Sequence, residues 1–344
     1  MKSLMLTGIR SLEIVNRPDP EIQSDADVLL KINCVGVCGS DVHYYRTGRI
    51  GDQVVQFPYT IGHECSATVI AAGKSVNRLC IGDRVAVDPA VSCQRCDQCL
   101  AGRRHTCRRL AFLGCPGQMH GCLSEYLVMP QESCYKIPES MTHVQAALVE
   151  PLSIGMYAVR FLNAPETQAI AVLGAGPIGT CVSLAARAAG VDRIYATDKI
   201  DARLELVRAA IPVWTANPET SDIVTAVSRI EPAGLDAVFE CCGQQEALDQ
   251  AIDLLKPGGK LIVAGIPDED RISFDAGKLR RKELSIYHVR RQNDCVQPAI
   301  DAIVSSAIRI DFLVTHHFQF ESAAQAFELA AGYRDGVMKA MIDL

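Results

Sequence analysis

Short apolar runs bounded by glycines and turn residues fill the first part of the chain. DVLLKINCVGV, ATVIAAG and DRVAVDP are examples. Few helical periods interrupt them, so residues 1–150 predict a β-rich region. The opening stretch, MKSLMLTGIRSLEIV, predicts a strand pair turning at Gly8. The texture changes near residue 151. AIAVLGAG, RIYATD, DAVFECCG and KLIVAGI are short apolar runs that each enter a Gly or Asp turn, with helix-like segments such as IGTCVSLAARAAG and DARLELVRAA between them. Strands alternating with helices predict a parallel sheet covered on both faces. The last part predicts a helix (PAIDAIVSSA), a strand (HHFQF), a helix (ESAAQAFELAAG) and a final strand (MKAMIDL).

The length of 344 residues fits two domains. A net charge of −6 argues against a nucleic-acid or membrane-surface partner, because both need a basic footprint. No apolar run reaches the ~18–20 residues of a membrane span, and the N-terminal stretch does not read as a signal peptide. Fifteen cysteines in a long chain without such a signal point to a reducing cytoplasm rather than to a disulfide framework. Some of them should then be metal ligands and the others small buried hydrophobes.

Cys93-x2-Cys96-x2-Cys99-x7-Cys107 is the sharpest local signal. Four soft ligands at this spacing match a closed tetrahedral zinc site, which holds structure and leaves no position open for chemistry. A nucleic-acid zinc ribbon is the competing reading, prompted by Arg103, Arg104, Arg108 and Arg109. One short basic loop in an acidic chain reads better as a solvated loop.

Gly174-Ala-Gly176-Pro177-Ile178-Gly179 follows the run Ala169–Leu173 and opens a helical segment. Strand, glycines and helix together predict a dinucleotide site with the pyrophosphate at the helix N-terminus. Asp198 lies 19 residues past Gly179, where a carboxylate would accept the ribose hydroxyls and disfavour a 2′-phosphate. This favours NAD over NADP. Lys199 and Arg203 pull the other way, since either could meet a phosphate; an ordinary turn aspartate is the plain alternative for Asp198.

Cys38-Gly-Ser-Asp-Val-His43 and Gly62-His63-Glu64 offer a second zinc set, with room for water or substrate. Taken singly these residues are ambiguous. In order, with the four-cysteine segment and the glycine motif after them, they make the chain resemble the zinc-containing medium-chain dehydrogenases over essentially its whole length. The branch most similar is that of the sorbitol (polyol, iditol, xylitol) dehydrogenases, through CGSDVHYYRTGRIG (38–51), GHE (62–64), ALVEPLSIGMYAVR (147–160) and VRRQND (289–294). One position departs from the family pattern, Ala67 standing where glycine is usual.

The resemblance implies an α/β protein with a GroES-like β-rich catalytic domain (1–152), a doubly wound Rossmann domain (153–289) and a return to the first domain (290–344). It implies one catalytic and one structural zinc, NAD as cofactor, and often a homotetramer. Cys38, His63 and Glu64 match the catalytic zinc ligands. Glu150 matches a carboxylate that orders the water there, and Ser40 and His43 match a proton relay. Tyr44 and Arg291 match substrate contacts, although Arg291, beside Arg290, also reads as a surface cation or a phosphate contact. The expected reaction is oxidation of a secondary alcohol of a small polyol to a ketose. Threonine, a sugar alcohol phosphate and an aldonate are the rival substrates.

Overall fold

The computed structural model describes residues 1–162 and 166–344 of the protein. The chain divides into two units, Met1–Glu150 with Val296–Leu344, and Pro151–Cys295.

In the first unit the strands run, in sheet order, Cys134–Lys136, Arg84–Val87, Glu64–Ala72, Asp27–Gly36, Lys339–Asp343 and Val314–Gln319, and Tyr126–Pro130 also pairs with Asp27–Gly36. All pairs are antiparallel except Lys339–Asp343 with Val314–Gln319, which is parallel. The central strand buries alternate residues Val28, Leu30 and Ile32 against a core that includes Val69, Val85, Met129 and Phe327. Val28, Leu30 and Ile32 are spaced by two, the period of a pleated strand. A register shift between Ile32 and Cys34 then sets Gly36 opposite Glu64. A side chain at position 36 would run into the Glu64 carboxylate, so the glycine makes room for a site residue.

The second unit carries a six-stranded, all-parallel sheet in the order Trp214–Ala216, Arg193–Thr197, Ala169–Leu173, Leu235–Glu240, Leu255–Val263 and Ser285–His288. The middle strand Ala169–Leu173 is buried at every position. Two apolar clusters cover it: Ala171 and Leu173 join one, Ile170 and Val172 the other. That two-sided burial is why the run reads as continuously apolar rather than alternating.

Two differences from the sequence-based expectation have local causes. The strand ending in KLIVAGI begins at Leu255, through Lys-Pro-Gly-Gly, with a register shift where that segment pairs. The return to the first unit starts at Val296 rather than at 290. Arg160 ties the intervening segment to the second unit, donating from Nη1 to the Asn293 carbonyl (2.6 Å) and from Nη2 to the Asp294 carbonyl (2.9 Å). Among the described residues, no helix is long and apolar enough to cross a membrane.

Candidate active site

Cys38 is the N-cap of the helix Gly39–Thr47, Glu64 opens the strand Glu64–Ala72, and His63 immediately precedes it. One ligand atom from each of the three lies within 4.8 Å of the others. A thiolate, an imidazole and a carboxylate gathered this closely, two of them buried, suit a zinc ion with an open coordination position. The surroundings orient each donor. Ser40 Oγ donates to Cys38 Sγ (3.4 Å). Asp41 Oδ1 lies 3.3 Å from His63 Nδ1 and accepts the Gly62 N–H (3.1 Å). The Phe112 ring packs on His63 at 5.4 Å between centroids. Burial alone would favour neutral His63; the Asp41 and Cys38 charges outweigh it and raise the imidazole well above its usual range. A carboxylate behind a ligand histidine fixes the ring and makes it a stronger donor.

Two of these neighbours were not singled out in the sequence. Asp41 sits inside the CGSDVH run, but nothing local marks it as a partner of His63. Lys339 is 275 residues from Glu64, yet its Nζ donates to both Glu64 oxygens (2.8 and 2.7 Å) and to the Val37 carbonyl (3.1 Å). Burial opposes its charge, but the Glu64 carboxylate overcomes burial and holds Lys339 protonated beyond the usual lysine range.

Glu150 is 7% exposed, on the helix His143–Val159. Burial lifts its carboxyl to about 7; His63 and Lys339 pull it down, and Glu64 adds to the rise. A carboxyl group poised there can exchange a proton near neutral pH. Ser40 and His43 are three apart on their helix and therefore share a face. Tyr44 is 4% exposed, and its hydroxyl donates to Gln53 Oε1 (2.9 Å). Burial and then Cys115 raise the Tyr44 phenol well above its usual range. Arg291 belongs to the second unit and adopts a positive φ of 55°.

The four cysteines of the 93–107 loop also meet, with ligand atoms within 4.8 Å of one another. Cys96 Sγ lies 3.5 Å from Cys99 Sγ and 3.8 Å from Cys107 Sγ. Backbone N–H groups point at sulfur: Cys93 N and Arg109 N donate to Cys107 Sγ at 3.3 and 3.4 Å. The Arg95 N–H is the foremost of the groups that lower the Cys93 thiol to about 6. Such donors favour thiolates, the form that binds metal. Arg108 is engaged with Asp97 through two bonds of 2.6 and 2.9 Å.

In the second unit, Gly174 has φ +99° and its N–H bonds to the Thr197 carbonyl (2.8 Å). Gly176 is the N-cap of the helix Pro177–Ala188, with Pro177 at its first turn. A side chain at Gly179 would overlap the Gly174 carbonyl oxygen, so helix and strand approach this closely only with glycine there. The strands beside Ala169–Leu173 are Arg193–Thr197 on one flank and Leu235–Glu240 on the other, which makes this the switch point where a parallel sheet binds ligands. Asp198 follows one of them. Its Oδ1 accepts the Ile200 N–H (2.9 Å), and Arg203 Nη1 lies 4.0 Å from Oδ2. Burial raises its carboxyl against the pull of Arg203. Lys199 is paired with Glu219 at 3.3 Å. Glu240, unmarked in the sequence, closes the far side of the switch point by accepting the Cys242 and Gly243 N–H groups (2.7 and 2.6 Å). A helix N-terminus, glycines and a carboxylate at the end of the next strand fit a dinucleotide.

A β-rich unit with a thiolate–imidazole–carboxylate centre, joined to a parallel sheet with a dinucleotide turn, defines a metal-dependent dehydrogenase. The comparisons agree. Residues 24–139 match the alcohol dehydrogenase GroES-like domain and residues 177–305 the zinc-binding dehydrogenase domain. Sorbitol dehydrogenase of Bacillus subtilis is 34% identical over 343 residues, covering 99% of this chain and 97% of that one. D-xylulose reductase A of Aspergillus oryzae is 33% identical over 337 residues, covering 96% and 94%. An alcohol dehydrogenase from Escherichia coli CFT073, solved with NADH, superposes with a TM-score of 0.91 at 29% identity, covering 100% and 99%. The chain belongs to the zinc-containing medium-chain dehydrogenases and is an alcohol oxidoreductase of the polyol dehydrogenase type.

Proposed function

We propose that the protein oxidises a secondary hydroxyl of a small polyol, of the sorbitol, xylitol or iditol kind, to the ketone, with NAD+ accepting the hydride. The gathering of Cys38, His63 and Glu64 beside the buried Glu150 carries this reading. The names of the sorbitol dehydrogenase and D-xylulose reductase relatives favour a polyol.

In this reading Cys38, His63 and Glu64 hold the catalytic zinc, and Cys93, Cys96, Cys99 and Cys107 hold a structural one. Zinc at the first site supplies a Lewis acid that favours loss of the alcohol proton. Glu150 takes up that proton, and Ser40 and His43 pass it on. Asp41 keeps His63 oriented through Nδ1. Tyr44 and Arg291 recognise the remaining hydroxyls, as a phenol and a guanidinium can. Gly174, Gly176, Pro177, Ile178 and Gly179 form the pyrophosphate turn, Asp198 holds the adenosine ribose, and Arg203 meets a cofactor phosphate. A homotetramer acting in the cytoplasm belongs to the same reading.

Glu150→Gln keeps the shape of the side chain and removes its basicity. Turnover of polyol should fall at least ~10²-fold with folding retained; near-normal turnover with reduced stability would leave Glu150 a purely structural role. Asp198→Ala should weaken NAD+ binding by on the order of 1.5–3 kcal/mol, the worth of hydrogen bonds to a charged group. Calorimetric titration with NAD+ measures this. Unchanged NAD+ affinity in the variant would remove Asp198 from the ribose site.

A further inference from the structure

Lys339 lies among the groups that the proposed function assigns to the catalytic metal, and that function gives it no task. Its side chain and that of Glu64 are each only 1% exposed. An ammonium group has three protons to donate, and here they have three acceptors, the two Glu64 oxygens and the Val37 carbonyl. The lysine is therefore pinned, and the carboxylate expected to bind metal already has a cation on both of its oxygens.

The position of such a fixed cation decides what it does. Lys339 holds both oxygens of the carboxylate expected to bind the ion, so it competes with the ion for Glu64. It also repels a divalent cation there, in surroundings that screen weakly, although the buried Asp41 carboxylate beside His63 and Glu150 offset part of the positive charge. With no ion bound, Lys339 keeps the buried Glu64 carboxylate paired, and losing that partner would be strongly destabilising. The same residue thus stabilises the metal-free protein and opposes the metal.

We propose that Lys339 is an electrostatic placeholder for the catalytic metal, holding Glu64 in position when the ion is away and lowering the affinity of the site when the ion is present. This rests on the assignment of Cys38, His63 and Glu64 as metal ligands. By linkage, the cation and the metal compete for one carboxylate, so removing either strengthens the hold of the other. Lys339 is a positioning residue, acting through Glu64.

The test is the zinc dissociation constant of the full chain, measured by competition with a chromophoric chelator, together with melting temperatures of the zinc-loaded and zinc-stripped protein. Lys339→Met should bind the chelator-accessible zinc at least about 10-fold tighter and melt lower when stripped, with a smaller change when loaded. Lys339→Arg keeps the charge and should stay within about 3-fold of the parent. Zinc binding that is unchanged or weaker in Lys339→Met overturns the proposal, because the lysine would then be a simple prop; so does a Lys339→Arg protein that binds as tightly as Lys339→Met. If Lys339→Met does not fold, Glu64→Gln is compared with Glu64→Gln/Lys339→Met, where no buried carboxylate is left unpaired. A smaller tightening on removal of the lysine, from lost like-charge repulsion alone, is expected there; weaker zinc binding in the double variant overturns the proposal. His63→Ala tests the ligand assignment separately: if it keeps the chelator-accessible zinc, that assignment fails whatever Lys339 does.

Discussion

Turnover should fall at least ~10³-fold when His63 is replaced by alanine, and the protein should stay folded. The Lewis acid contributes several kcal/mol to the transition state, and each ~1.4 kcal/mol is a factor of ten in rate. Removing one of three donors forfeits most of that. Folding survives because His63 is a neighbour of the core rather than its centre. Asp41 Oδ1 keeps the Gly62 N–H as a partner, so the loss of His63 lowers stability without removing the fold. Steady-state rates with circular dichroism on the same preparation check both halves. A variant that retains turnover within ten-fold of the parent would remove His63 from the chemistry.

Cys99→Ser has the opposite signature. Cys99 is 8% exposed, and its sulfur lies among three others in a loop with little apolar core of its own. In such a loop the metal substitutes for the core, and losing one thiolate of four releases it. Metal content should drop by one ion per chain, and the melting temperature should fall by at least about 5 °C, a shift that corresponds to a few kcal/mol in a protein of this size. Residual turnover at low temperature should persist, since the Cys38 centre uses none of these residues. Simultaneous loss of both ions would show that the two sites are not independent.

What the sequence made legible was local. The glycine turn, the four-cysteine spacing and the GHE triplet each place their chemistry within a few residues, and the structure gathers the ligand atoms of both metal sets. The strands of the parallel sheet were legible for the same reason: buried on both faces, they read as unbroken apolar runs. What escaped depended on contacts distant in sequence. Nothing around Lys339 in the final strand marks it as the partner of Glu64; the strand pairing that brings Lys339–Asp343 beside Asp27–Gly36 does so. Gly36 carries no local mark in the sequence, and its register opposite Glu64 explains it. Glu240 likewise has a role only because its strand flanks the glycine turn. The boundary near 290 moved for a comparable reason, since Arg160 binds backbone more than 130 residues away.

In the proposed function, Tyr44 and Arg291 are the residues assigned to substrate recognition. The Tyr44 hydroxyl is bonded to Gln53, so recognition of a polyol through it requires the phenol to accept a bond while donating that one. A hydroxyl can do both. Arg291 supplies donors only, and therefore suits hydroxyl oxygens and carboxylates alike.

The most direct measurement is the initial rate of reduced-cofactor formation from a panel of sorbitol, xylitol, iditol, threonine, an aldonate and a sugar alcohol phosphate, each with NAD+ and with NADP+. Turnover of at least one free polyol is expected, with a higher kcat/KM with NAD+ than with NADP+ and loss of that activity when the chelatable zinc is removed. Turnover confined to the aldonate, the phosphorylated alcohol or threonine, or a higher kcat/KM with NADP+, would contradict the proposed function.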